Sequence, residues 1–130
     1  MKDKNERFSI RKRIKSFSYA FAGLRVLLRE EHNAWIHAAA TILVVAASFL
    51  LRISYIEWIA VLIVIGMVFS AEIVNASIER IADFVSPGKD NRIRDIKDLA
   101  AAAVLVCAIT AAIVGLIVFL PKIMALLCKV

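Results

Sequence analysis

Four polar side chains in the segment AEIVNASIERIADF, namely Glu72, Asn75, Glu79 and Asp83, recur at steps of three, four and four. At 100° per residue they fall on one face of a continuing helix. Glu72 follows directly on the apolar run WIAVLIVIGMVFS, where a membrane helix is still in or near lipid. A charged side chain at the centre of such a helix costs roughly 2.5–3.5 kcal/mol on insertion scales, so an ionisable residue there is a functional hypothesis by default. The available chemistry is phosphoryl transfer. Glu31 and Glu79, from different helices, could hold Mg²⁺, which prefers oxygen ligands and usually takes one or two carboxylates plus phosphate. Lys97 can neutralise phosphate charge as a point cation. Glu72 suits a general base that accepts a hydroxyl proton, and Asn75, one turn on, can orient it. Positioning and charge neutralisation do most of the work in such a reaction. Two bland readings compete: a Glu–Asn pair can be interhelical glue, and a Lys–Asp pair beside a membrane is often a solvated helix end. The sequence has no Walker lysine loop and no GxGxxG, so a soluble-kinase template does not apply.

The elements that must position these residues are helices in a membrane. With 130 residues, 62% of them apolar, and a mean hydropathy of +0.80, the chain exceeds the apolar share of about 45–50% usual for soluble domains. Four Gly, two Pro and no sustained alternation give strands little support. The expectation is a single all-α membrane domain over residues 1–130. Cys107 and Cys128 read as small apolar side chains rather than a disulfide or metal pair, and neither a His–Cys cluster nor HExxH occurs. The net charge of +6 on so apolar a chain points to anionic headgroups and not to nucleic acid.

Along the chain, Ile10, Ile14, Phe17, Phe21, Leu24 and Leu28 recur at three and four with basic residues between them. That pattern predicts an amphipathic surface helix over about 8–31, lying in the membrane interface or packed on the bundle. Three spans are expected at about 34–52, 57–80 and 98–120. The first is broken by Arg52-Ile53-Ser54, and Tyr55 and Trp58 suit an aromatic belt. Ser86-Pro87-Gly88 ends the second, Lys89 to Asp98 reads as a charged connection, and Pro121 is expected to stop the third. Measured from Trp58 at 1.5 Å per residue, Glu72 lies about 21 Å along and Glu79 about 31 Å, so the polar face crosses the far boundary. Ala100 to Ala103 would allow close helix approach.

Charge bias sets the expected topology. The N-terminal segment carries Lys2, Lys4, Arg7, Arg11, Lys12, Arg13, Lys15, Arg25 and Arg29, the first turn Arg52 alone, and the second connection Arg80, Lys89, Arg92, Arg94 and Lys97. The positive-inside rule then predicts a cytoplasmic N-terminus and a cytoplasmic second connection. Glu30, Glu31, Glu79, Asp83, Lys97 and Asp98 would all sit at that face, where ATP is. The first long apolar run starts only near residue 34, after a charged segment, so no secretory signal is expected.

AEIVNASIERIADF closely resembles the signature of the small prokaryotic membrane diacylglycerol kinases and undecaprenol kinases, roughly E-[IL]-x-N-[ST]-x-[IL]-E-x-x-x-D. It departs at Ala76, where Ser or Thr is common, with Ser77 next to it. The similarity continues in KSFSYAFAGLRVLLREE and in KDLAAAAVLV, and covers about residues 12–120. The resemblance implies a homotrimer of three-span subunits in the bacterial inner membrane, with active sites shared between neighbours. It implies an ATP- and Mg²⁺-dependent lipid kinase in which Glu72 is the catalytic base, Asn75 its polar neighbour, and Glu31 and Glu79 the Mg²⁺ ligands. Lys97 and Asp98 would contact the nucleotide, with Lys97 on phosphate. Tyr19 would lie against the adenine, and Asp83 would contact the nucleotide more weakly. EEHNAWIH resembles the EERNFRIH-like stretch of the Gram-positive undecaprenol kinase branch, with His37 where the diacylglycerol type tends to carry Glu, which favours a polyprenol acceptor over diacylglycerol. The bland reading of His37 is that it caps or packs near the interface. Asp90-Asn91 departs from the His and Pro or Glu that the family often has there.

Two other functions fit the residues alone. A small oligomeric channel or transporter would use Glu72 as a lumen-facing relay, but it needs polar groups along the whole span, and Trp58 to Phe69 offers none beyond Trp. A non-enzymatic adaptor would use Glu72 and Asn75 only for packing.

Overall fold

A computed structural model describes residues 8–129. It contains four helices in chain order: α1 (Ile10–Glu30), α2 (His32–Leu50), α3 (Tyr55–Val85) and α4 (Asn91–Leu127). The last three are long and apolar enough to cross a membrane, as the composition predicts.

α1 starts where the Ser9 hydroxyl accepts from the backbone N–H of Lys12, an N-cap that satisfies one of the free donors of the first turn. Its apolar stripe does not pack on the rest of the chain: Ile10, Ile14, Phe17 and Phe21 are all exposed. Leu27 makes the contact instead. It is buried with Ala34 of α2 and Ala76 of α3, and Phe69 packs against the three. Ala76, the departure from the motif, is therefore a small apolar seat for Leu27. A single extended residue, Glu31, separates α1 from α2; its backbone N–H bonds the Leu27 carbonyl at 2.9 Å.

α2 is C-capped by Leu51, and Arg52 turns the chain with a left-handed φ of 49°. Ser54 and Glu57 then form a capping box that starts α3, each side chain bonding the other's backbone N–H. Beneath this turn Ile53, Val61 and Val118 are buried together.

α3 and α4 form the main packed pair. They run antiparallel, tied near one end by Lys97 Nζ to Asp83 Oδ1 at 2.7 Å and at the other by Lys122 Nζ to Glu57 Oε2 at 3.1 Å. At 1.5 Å per residue these ties stand about 38 Å apart along either helix. That separation brackets an apolar slab of about 30 Å with the headgroup zone beyond it.

Two expectations about α4 are corrected. The charged segment from Lys89 to Asp98 is not a loop: the helix begins at Asn91 because the Asp90 carboxylate accepts from the Arg92 N–H at 2.8 Å and caps it. The connection is thus shortened to 86–90, and Asp90 acquires a structural role. Nor does Pro121 stop the helix, which runs on to Leu127. Proline removes one backbone donor and crowds the preceding turn. The flanking side chains hold that turn in place all the same, with Val118 buried, Phe119 packed on the same cluster, and Lys122 tied to Glu57.

Candidate functional site

The polar face of α3 is read from the inside out. Glu72 is 2% exposed and Asn75 8%, so both are withdrawn from solvent within a single chain. Glu79 is half-buried and Asp83 exposed. Asn75 Nδ2 donates to Glu79 Oε1 at 3.2 Å, and Lys97 of α4 bonds Asp83 while lying within electrostatic reach of Glu79. The helical period thus places a carboxylate deep, an amide one turn on, and a carboxylate–ammonium–carboxylate group at the mouth.

Glu72 meets one polar side chain from another helix. Nε2 of His37, on α2, lies 3.0 Å from Glu72 Oε1, with the histidine side chain 21% exposed. The contact is close in distance but lacks hydrogen-bond alignment, and Oε1 has no other hydrogen-bond partner; Asn75 Oδ1 is likewise buried and unpartnered. Buried polar atoms without partners are costly, and a buried charge costs several kcal/mol unless paired.

An apolar cavity of about 300 Å³ lies between α2, α3 and α4, lined by His37, Thr41, Val64, Val68, Ala111 and Gly115 among others. It reaches the His37 that contacts Glu72 and the Val68 one turn before it, while Glu72 itself is not part of the lining. The Thr41 hydroxyl bonds the carbonyl of His37 at 2.7 Å, so the imidazole is the polar group this lining offers an occupant. A second, polar hollow of about 580 Å³ lies at the α3–α4 turn, lined by Asp83, Lys89, Asp90, Arg94, Lys97 and Asp98 among others.

The remaining predicted site residues are spread more widely. Glu31 is half-buried at the α1–α2 junction. The Leu27–Ala76 contact and the 2.7 Å bond from Arg80 Nη2 to Glu30 Oε2 hold that junction beside the turn of α3 that carries Glu79. Asp98 is exposed in the polar hollow. Tyr19 is 64% exposed on α1 and has no hydrogen bond to the α3–α4 group among the described residues. No three His, Cys, Asp or Glu side chains there gather as a cation site. What sequence reasoning missed is the His37–Glu72 contact. Each is an isolated ionisable residue within the apolar stretch of adjacent antiparallel helices, but their pairing is set by how deeply and at what rotation α2 packs on α3. Asp90 carries a shift at the mouth, where the Arg92 side chain and then its backbone N–H hold the carboxyl below its ordinary value.

Comparison with known proteins places the chain in a family. The chain is 38% identical over 122 residues to the undecaprenol kinase of Bacillus subtilis (strain 168), covering 94% of this chain and 99% of that one. It is 32% identical over 113 residues to the diacylglycerol kinase of Synechocystis sp. (strain ATCC 27184 / PCC 6803 / Kazusa), covering 86% of this chain and 65% of that one. Residues 18–119 match the family described as prokaryotic diacylglycerol kinase. The chain thus belongs to the prokaryotic diacylglycerol kinase family, and the protein is a membrane lipid kinase.

Proposed function

We propose that the protein transfers the γ-phosphoryl group of ATP to the terminal hydroxyl of a polyprenol, undecaprenol being favoured over diacylglycerol. The observation that carries this reading is buried Glu72 in contact with His37, which lines an apolar cavity, on the same helix that leads to the charged α3–α4 mouth. An acceptor with a hydrocarbon tail and a single alcohol matches that polarity. The relative that is similar over nearly its whole length is an undecaprenol kinase, and His37 stands where the diacylglycerol branch tends to carry Glu.

In this reading Glu72 takes the proton of the acceptor hydroxyl. The alkoxide oxygen forms its bond to the γ-phosphorus while the bridging oxygen leaves on ADP. Asn75, expected to orient the base, instead holds Glu79 through its amide, Lys97 exchanges Asp83 for phosphate, and Asp98, Asp83 and Tyr19 contact the nucleotide. Lys97 and Asp83 form an exposed, solvent-screened pair, which is weak enough to yield to a more highly charged partner. Glu79 and Glu31 suit a Mg²⁺ that arrives with the nucleotide, because two carboxylates complete a shell largely supplied by phosphate and water. Bound there, Mg²⁺ would offset charge on the phosphoryl oxygens. The four helices act as one unit with the N-terminus and the α3–α4 turn at the cytoplasmic face of the inner membrane, α1 floating at the headgroups, and three copies assembled around shared sites.

A side-by-side assay tests the acceptor. Purified protein in lipid micelles with Mg²⁺ and labelled ATP receives undecaprenol or diacylglycerol at matched mole fraction. The expected result is label in the polyprenol with the higher kcat/KM. Preference for diacylglycerol would reverse the acceptor, and no label in any lipid would remove the kinase reading of these residues.

A further inference from the structure

α2 carries three polar side chains within its apolar stretch, and two of them are occupied by their own helix. Thr41 Oγ1 bonds the carbonyl of His37 and Ser48 Oγ bonds that of Val44, each at 2.7 Å. His37 alone turns a polar atom toward α3, and that atom lies 3.0 Å from Oε1 of Glu72. Resting on the reading of Glu72 as the base, we infer that His37 is a positioning residue whose Nε2–H holds the Glu72 carboxylate, by Oε1, in the rotamer that faces the acceptor alcohol.

Three observations support this. A ring nitrogen this close to a carboxyl oxygen needs a proton between them, since two lone pairs would repel. With Glu72 acting as the base, and so an acceptor-only carboxylate, that proton sits on the ring and the imidazole faces Glu72 as a donor. Oε1 is buried and has no other hydrogen-bond partner, so this donor is the restraint available to a side chain with three rotatable bonds. The contact is not aligned as a hydrogen bond, as is common for catalytic groups before substrate is seated. The same imidazole lines the apolar cavity, so an occupant there presses on the ring that restrains the base. The competing account is that His37 fills space between α2 and α3 and its nitrogen is incidental.

Three full-length variants, His37→Gln, His37→Asn and His37→Leu, separate the two accounts, with Glu72→Gln assayed in parallel. Glutamine carries an amide N–H about as far from the backbone as Nε2, whereas the asparagine amide falls short and leucine has no donor. Each is assayed in lipid micelles with Mg·ATP and a long-chain prenol. The expected result is a loss in kcat of about ten- to a hundred-fold for Asn and Leu. Their KM for ATP and for prenol should stay within about two-fold of wild type, the pattern of an interaction made in the transition state, with Gln restored most of the way. Equal activity in all variants overturns the inference. So does equal impairment of Gln and Asn, or a loss seen only in the prenol KM, either of which marks a packing role. If His37→Leu fails to assemble, the comparison of Gln with Asn still decides. Turnover by Glu72→Gln would instead remove the base itself, and this inference with it; an inactive Glu72→Gln beside normal His37 variants removes this inference alone.

Discussion

Glu72 and Lys97 illustrate how differently two charged residues are held. Glu72 is enclosed by protein and faces only His37 at its Oε1, whereas Lys97 keeps an exchangeable bond to an exposed Asp83. The first arrangement suits a group that must be aimed, the second one that must change partners. Replacing Lys97 with Met should therefore weaken nucleotide binding and lower kcat/KM for ATP by about two orders of magnitude, since it removes a charge-assisted contact to phosphate. Asp83→Asn should have a small effect, because its pairing is screened by solvent. Initial rates over a range of Mg·ATP concentrations check both; a normal KM for ATP in Lys97→Met would reassign the lysine. The face bearing Glu72, Asn75, Glu79 and Asp83 was legible in the sequence because helical period alone aligns them. The His37–Glu72 contact was not, since it depends on the relative depth and rotation of α2 and α3, which no single-helix periodicity encodes.

At the level of the elements, the junctions carry most of the information that the sequence pattern understated. Runs of apolar residues announced the three long helices, but their ends are set by hydrogen bonds that composition does not report. Asp90 starts α4 by capping it and also binding the Arg92 guanidinium at 3.3 Å, which turned an expected loop into helix. Its carboxyl is held below the ordinary 3.8, chiefly by the Arg92 side chain and then by the Arg92 N–H. A folded value below the unfolded one means that the group contributes stability above the unfolded value and loses it as pH falls through the folded value. Thermal unfolding midpoints should therefore drop in acid more steeply for wild type than for Asp90→Asn; parallel curves would deny the cap this role. At the other end, Arg52 adopts the left-handed conformation usual for glycine after a helix. Arg52→Gly should raise stability by up to about 1 kcal/mol in denaturant titrations, because a β-carbon in that conformation is strained; destabilisation would indicate that the arginine side chain, and not the turn, holds the loop. Pro121 was misleading for a related reason. A proline ends an isolated helix, but here Val118, Phe119 and Lys122 are held by neighbours on both sides of it.

On the scale of the whole molecule, one chain leaves much apolar surface open. Only 6% of the most apolar window of α4 is buried within it, and Leu105, Val106, Ile109 and Ile113 are exposed along that helix. Lipid or further copies of the chain must cover these side chains, because the hydrophobic cost of leaving them in water is about 25 cal/mol for each Å². Assembly as a homotrimer predicts a protein mass of three chains by light scattering in mild detergent, and a monomeric mass in a fully active sample would contradict it. The fold class, the lipid-facing character and the phosphoryl-transfer chemistry were readable from sequence; the apolar cavity that His37 lines was not, because it is made by three helices whose contacts are distant in the chain. Burial of Glu72 against His37 is the point on which the molecule's proposed function turns. The most direct measurement is transfer of labelled γ-phosphoryl to undecaprenol by wild type and Glu72→Gln, with nucleotide binding followed in the same samples. The account predicts that Glu72→Gln binds Mg·ATP within about two-fold of wild type yet transfers label at least about 10²-fold more slowly, the share typical of a general base. Label transfer at the wild-type rate would contradict it.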